Sequence, residues 1–378
     1  MSRLTFVVTE DWFFASHFLP LARAAREIGL DVAVVTRVRD HRGAIEAVGA
    51  DVVPFEAERR SLNPIAAGDA AGRLAAIFKR LRPDLVHCIA LRSILVGGAA
   101  CAMAGIDRRV YALTGLGLLG ARADAVGAGA RWALRTLIRG PLGSRGARHL
   151  VENEEDARTL GLDPADRSRV TLVGGAGIDP DHFRPSRLPD EPGLRLAIVA
   201  RMLWSKGIDL AVEATALARA AGQNVSLDLY GSPDPSNRRA ISEATLREWS
   251  ARPGIAWHGP ATDVAAVWRG AHLACLPSRG GEGLPRTLLE AAGCGRGIVT
   301  TDVPGCRRFV RDGVEGLVVQ PGDPRALADA LVRLARDPGL VARMGDAARA
   351  RVLDGFTEQA VADDVKRLYR EMLGGGAA

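Results

Sequence analysis

Lysine is nearly missing from this 378-residue chain: of 50 basic residues only Lys79, Lys206 and Lys366 are lysines. Arginine count therefore carries little information, whereas a lysine marks a place where a compact point charge is wanted. Aromatic residues make up 5% of the chain and never alternate with basic residues in a run able to stack bases, so nucleic acid is not the expected partner. The five cysteines at 88, 101, 275, 294 and 306 form no CxxC pair and have no histidine at metal-ligand spacing. Reduced, buried thiols of a cytoplasmic protein are expected. The longest apolar region, "CIALRSILVGGAACAMAG", is broken by Arg92 and rich in glycine, which disfavours a membrane-spanning helix. The opening "MSRLTFVVTEDW" is too short an apolar stretch for a signal peptide and runs into Glu10 and Asp11.

What is present describes a two-domain α/β protein. An apolar content of 47% over this length can bury more than one core, and a net charge of +6 suits anionic substrates or an anionic membrane surface. Short strand-like runs alternate with amphipathic helical stretches, the pattern of parallel sheets covered by helices. The first half offers "LTFVVT", "DVAVVT", "DLVHCI", "RVYALT", "HLVEN" and "RVTLVG"; the second offers "LRLAIVA", "VSLDLYG", "IAWHG", "LACLPS", "GIVTTD" and "GLVVQ". Between them, "HFRPSRLPDEPGLR" is dense in proline and charge and reads as a linker. The expected division is residues 1–185, a Rossmann-like domain; 186–358, a second Rossmann-like domain facing it across a cleft; and 359–378, a terminal helix crossing back to the first domain, with a frayed tail. In such sheets ligands sit beyond the carboxyl ends of the strands, so chemistry is sought just after them.

"GLGLLG", from Gly115, matches a dinucleotide-binding pattern, but it does not follow the first strand of its domain. The acid expected about 20 residues on is also missing, with Arg135 and Arg139 in that neighbourhood. Close backbone approach to another ligand is the better use of these glycines. In the second half, "RMLWSKG" directly follows a strand and leads into a helix, placing Arg201 and Lys206 where helix-terminal amides already favour an anion. Two cations there can hold a diphosphate. The loop "SRGGEGLPRTLLEAAG" surrounds Glu282 with glycines and sets Glu290 about a turn and a half into the following helix. Amides at the helix start, one acid in the loop and one further in suit a nucleotide sugar: phosphate, sugar hydroxyls and ribose diol respectively.

"EGLPRTLLEAAGCGRGIVTTDVPG", with "ARMLWSKGID" upstream and "AGIDPDHF" closing the first half, resembles the EX7E signature and its partners in family 4 retaining glycosyltransferases, which have the GT-B fold. The N-terminal "EDWFFASHFLPLARAARE" and the central "LTGLG" resemble the branch that extends polyprenyl-diphosphate-linked oligosaccharides. The resemblance implies a metal-independent, retaining hexosyl- or N-acetylhexosaminyltransferase using a nucleotide sugar, expected to be UDP-linked, as substrate and needing no cofactor. It implies that Arg201 and Lys206 bind the donor diphosphate, that Glu290 binds the ribose and that Glu282 contacts the transferred sugar. Amides around Gly283 and Leu284 would assist the phosphates, and the turn containing Gly259 would lie near the base. Two positions depart from the family pattern: Thr114-Gly115 stands where many members have a histidine, and Ala176 replaces the asparagine of "NGVD". A non-hydrolysing nucleotide-sugar epimerase shares the paired domains, and an acceptor that is small and soluble, or a lipid, is the alternative within the family.

The acceptor is expected on the first domain, at Trp12, Ser16 and His17 after the first strand and at Thr114 and Gly115 after a later one. The segment "RADAVGAGARWALRTLIRGPLGSRGARHL" carries Arg131 and Arg135 among six arginines against one acid, with Trp132 and leucines interleaved. It suits either the inner face of an anionic membrane and a lipid diphosphate, or an ordinary solvated helix with its apolar side inward.

Overall fold

The structure is a computed structural model that describes residues 1–56, 64–117, 124–234, 237 and 239–374. It divides into two compact units, Met1–Ala176 with Glu358–Ala378, and Gly177–Thr357. The division falls upstream of the boundary expected at 185/186. Ile178 and Phe183 are buried in the second unit's core, where a side chain added at Gly293 would collide with both.

The first unit is a seven-stranded parallel sheet in the order β3-β2-β1-β4-β5-β6-β7. Its strands are β1 (Arg3–Glu10), β2 (Asp31–Arg37), β3 (Ala50–Pro54), β4 (Leu85–Ile89), β5 (Arg109–Leu113), β6 (Ala147–Val151) and β7 (Val170–Leu172). Near-continuous apolar runs such as β4, buried throughout, are what a sheet covered on both faces requires. One face packs Phe6, Val34 and Val110 against the helices Leu19–Glu27 and Glu358–Leu373; the other packs Val7, Tyr111 and Val151 against Pro64–Leu81, Ala90–Ala104 and Ala125–Arg139. The terminal helix contributes Val361, Val365, Leu368, Tyr369 and Met372 to the first of these cores. Its Tyr369 hydroxyl lies 2.6 Å from Nδ1 of fully buried His87 on β4. Burial pushes the His87 imidazole down to about 3, so it is neutral and packed.

The second unit is a six-stranded parallel sheet in the order β10-β9-β8-β11-β12-β13. The strands are β8 (Leu194–Val199), β9 (Val225–Tyr230), β10 (Ile255–Trp257), β11 (Leu273–Leu276), β12 (Gly297–Thr301) and β13 (Gly316–Val319). All five cysteines of the chain are free and buried. No described helix is long and apolar enough to cross a membrane.

In both sheets the chain order reverses beside the first strand: β1 is flanked by β2 and β4, and β8 by β9 and β11. Helices leaving neighbouring strands there go to opposite faces and leave a crevice at the carboxyl ends, which is where such sheets bind ligands.

Candidate functional site

In the second unit the crevice lies between the segments following β8 and β11. After β8 the chain makes a short 3-10 turn, Trp204–Lys206, and enters the helix Ile208–Ala220 through Gly207. Gly207 is left-handed (φ +68°), and a side-chain carbon there would stand 1.9 Å from the Pro277 carbonyl oxygen. Only glycine lets the two segments touch. Arg279 ties them further: its guanidinium donates to both Asp209 oxygens at 2.7 and 2.6 Å and to the Trp204 carbonyl at 2.6 Å.

At this junction Lys206 Nζ lies 2.8 Å from each oxygen of Glu282, with both side chains largely buried. Ser278 donates to the same carboxylate at 2.9 Å. β12 holds the loop from beneath, Thr300 donating to the Leu276 carbonyl at 2.7 Å and Thr301 to that of Ser278 at 2.5 Å. Gly305, last residue of the family-like stretch, sits where any side chain would strike the Gly283 carbonyl at 1.8 Å. The glycine-rich loop is therefore fixed on three sides, with one acid and one lysine locked together at its tip.

The helix Arg286–Gly293 starts directly after this loop, with Pro285 as its cap. Gly283 and Leu284 are buried at its start, and Glu290 lies one turn in, bonded to Arg286 Nε at 3.0 Å. Burial raises the Glu290 carboxyl above the ordinary range, against the opposing pull of Arg286. Arg201, half exposed, donates to Asp234 at 3.2 Å. Gly259 closes the turn after β10, its carbonyl accepting from the Gly231 amide at 2.7 Å, while His258 stacks on Tyr230 at 4.6 Å and bonds to Asp228 at 2.7 Å. Lys206 and Glu282 are thus in direct contact, whereas Arg201 and Glu290 are each held by another partner. Ser278, Arg279, Asp209, Asp234 and Arg286 were not singled out in the sequence. Ser278 and Arg279 stand inside the quoted loop, but their bonds cross to a segment some 70 residues away.

In the first unit, His17, Thr114 and Glu152 line one pocket at the carboxyl ends of β5 and β6, with the chain around Gly175 and Ala176 on its far side. Parallel pairing of Leu113 with Val151 places Thr114 beside Glu152. Glu152 has no sequence signal of its own. Ser16 Oγ lies 2.6 Å from His17 Nδ1, and Trp12 and Phe13 meet edge to face at 5.7 Å. Asp11 is fully buried; burial would raise its carboxyl, but amides of Arg39, His41 and Trp12 hold it low, so it anchors the 39–41 loop. Gly115 has φ +98° and is not among the pocket's lining residues. Of "GLGLLG", residues 118–120 lie outside the described residues, as do Arg122 of the arginine-rich segment and residues 375–378 of the expected tail. Arg131 and Arg135 lie on the helix Ala125–Arg139, where Arg135 passes over Gly161. Among the described residues no three His, Cys, Asp or Glu side chains cluster to hold a metal ion.

Paired Rossmann-like sheets, each with a crevice at its switch point, are the frame of a two-domain α/β enzyme, and comparison with known proteins names its family. Residues 3–133 match the "Glycosyl transferase 4-like" family model and residues 193–337 match "Glycosyl transferases group 1". The chain belongs to these family 4 glycosyltransferases and has their GT-B architecture. It is 25% identical, over 94% of its length and 96% of the relative's, to N,N'-diacetylbacillosaminyl-diphospho-undecaprenol alpha-1,3-N-acetylgalactosaminyltransferase of Campylobacter jejuni. It is 33% identical to the D-inositol 3-phosphate glycosyltransferase of Frankia alni over 60% of each chain. Among solved structures, Anabaena HepE in complex with UDP-glucose superposes with a TM-score of 0.78 at 16% identity, covering 98% of this chain and all of that one.

Proposed function

We propose that the protein is a retaining glycosyltransferase that moves a hexose or N-acetylhexosamine from a UDP-sugar to a polyprenyl-diphosphate-linked glycan. The observation that carries this is the Lys206–Glu282 pair, held at the switch-point crevice by Ser278, Thr301 and the Gly207 contact. With donor present, Lys206 and Arg201 take the diphosphate, aided by amides at the start of Arg286–Gly293. Glu282 then accepts hydroxyls of the transferred sugar, and Glu290 accepts those of the ribose. The acceptor hydroxyl attacks the anomeric carbon from the face the diphosphate leaves: the new C–O bond forms as the old one breaks, and the proton passes to the departing phosphate oxygen. Catalysis is stabilisation of negative charge on that leaving group by residues already in place. These side chains supply it without a resident metal or cofactor.

The acceptor belongs to the first unit, in the pocket of His17 and Thr114, with Trp12, Ser16, Gly115 and Glu152 around it. Helix Ala125–Arg139 supports a peripheral placement at the inner membrane face: Arg131, Arg135 and Arg139 form a stripe at i, i+4, i+8 flanked by exposed Trp132. The near full-length similarity to an enzyme named for an undecaprenyl-diphosphate acceptor supports the lipid-linked glycan. Incubation with a panel of nucleotide sugars, with and without a synthetic polyprenyl-diphosphate glycan, tests the proposal. Acceptor-dependent release of UDP with retained anomeric configuration is expected. Transfer to an inositol phosphate alone, or epimerisation of the donor, would overturn it.

A further inference from the structure

A second site in the first unit lies away from this chemistry. A pocket of about 460 Å³ opens at the amino-terminal ends of β6 and β7, opposite the strand ends that carry Thr114 and Glu152. One wall is the end of helix Ala125–Arg139; the other is the turn between the helix Glu154–Thr159 and β7. His149 of β6 lines it from beneath. That side chain is only 3% exposed; the Arg169 carbonyl faces the ring, but neither nitrogen makes a well-aligned hydrogen bond, which leaves donor capacity toward the pocket.

Three guanidinium groups line the same pocket, those of Arg139, Arg145 and Arg169, and none makes an ion pair or side-chain hydrogen bond among the described residues. Two acids are also present. Asp163 accepts from the Ala165 amide at 2.9 Å, and Asp166 from the Ser168 amide and hydroxyl at 3.0 and 2.6 Å; the Ser168 hydroxyl first, and then the nearby Arg169 charge, hold the Asp166 carboxyl below its usual range. Ser144 already donates its hydroxyl to the Asp107 carbonyl at 2.6 Å. The lining thus sets three forked donors against two aspartates already bonded to their own turn, a surplus of positive charge that matches a phosphate. Spare oxygens on the two aspartates suit hydroxyls attached to it.

We propose that this pocket binds a phosphate ester on a small polyol, and that its source is the head group of an anionic glycerophospholipid. The proposed membrane-facing role of helix Ala125–Arg139 bears only on the source: the helix that ends at the pocket with Arg139 exposes 70% of Trp132, an interfacial side chain, two turns back. Burial keeps His149 down at about 4, so it enters as a neutral donor.

Glycerol 1-phosphate titrated into the full-length protein, followed by calorimetry, should bind saturably, and Arg145→Gln with Arg169→Gln should weaken it about tenfold or more. His149→Phe should weaken it too. Because that change lies in the core, the exposed arginine pair, checked by thermal melting, decides the matter. Flotation with phosphatidylglycerol in phosphatidylcholine vesicles, against pure phosphatidylcholine, identifies the source. The arginine variant should lose its preference for the anionic vesicles, while Trp132→Ser should lose vesicle binding and keep glycerol phosphate binding. Glycerol phosphate binding with no vesicle preference overturns the lipid source. Absence of saturable binding, or an unaffected arginine variant, overturns the site. Transfer to a detergent-solubilised polyprenyl acceptor, measured in parallel, reports on the proposed enzyme activity independently of either outcome.

Discussion

The two sheets share a topology at their switch points yet carry different kinds of site. In the second unit the crevice is built from charges and backbone: a lysine–glutamate pair, a bidentate arginine–aspartate clamp and a glycine that admits only a carbonyl. In the first, the corresponding strand ends offer an aromatic turn, a threonine and a histidine with a neighbouring glutamate. A site for a diphosphate must be preorganised around fixed charge, whereas a site for glycan and lipid works through shape and scattered hydrogen bonds. On the proposed roles, the second unit's site works through fixed charge and the first unit's through shape and scattered hydrogen bonds.

The largest test of this contrast is charge removal at the second unit's site. Lys206→Ala should lower kcat by about 10²–10³-fold, the usual cost of losing one preorganised donor, measured by UDP release. An effect under about tenfold would mean that the leaving group is stabilised elsewhere. Backbone comes next. Gly207→Ala should cost about 3 kcal/mol or more, combining left-handed strain with a collision against Pro277, while Gly117→Ala in the first unit, also left-handed but facing open space, should cost about 1 kcal/mol in urea unfolding.

Acid should reverse the order of robustness. His87 is held down to about 3 in the fold against about 6.5 in the unfolded chain. Above pH about 6.5 its contribution is fully present, and as pH falls from there toward about 3 the unfolded chain binds the extra proton. His87 alone should then remove up to about 1.4 kcal/mol per pH unit, with a further share from buried His149 as pH falls toward about 4. Hydrogen exchange at pH 5 should show the amides of β1, β4 and β5 losing protection before those of β8 and β11, and His87→Phe should make the dependence shallower. The smallest effect is expected at Glu290→Gln, which should raise the KM for the donor about tenfold with little change in kcat, as for an interaction made equally in ground and transition states.

The residues proposed to bind the donor could be named from the sequence, and for a physical reason. Lys206 stood out because lysine is so scarce here, and Glu282 because glycines surround it; both lie directly after strands that alternation and burial make plain. The bonds that hold them were not legible. Thr301 and Ser278 act through backbone carbonyls across parallel strands, and Asp234 meets Arg201 from the segment after β9, pairings that only sheet order creates. Glu152 reads as the tail of a strand until the β5–β6 register sets it beside Thr114. β3 escaped detection because Asp51 and Pro54 interrupt a five-residue edge strand, where pairing with β2 outweighs weak propensity.

The seating of Tyr369 against His87 also bears on how the protein is made. Residues 361–372 complete the hydrophobic interior of a sheet in which Arg3–Glu10 is an inner strand, so strands made early must wait for a helix made much later. During that interval the apolar face formed by Phe6 and Val34 stands uncovered by Val365 and Tyr369, and synthesis of the helix that carries them decides when this sheet becomes stable.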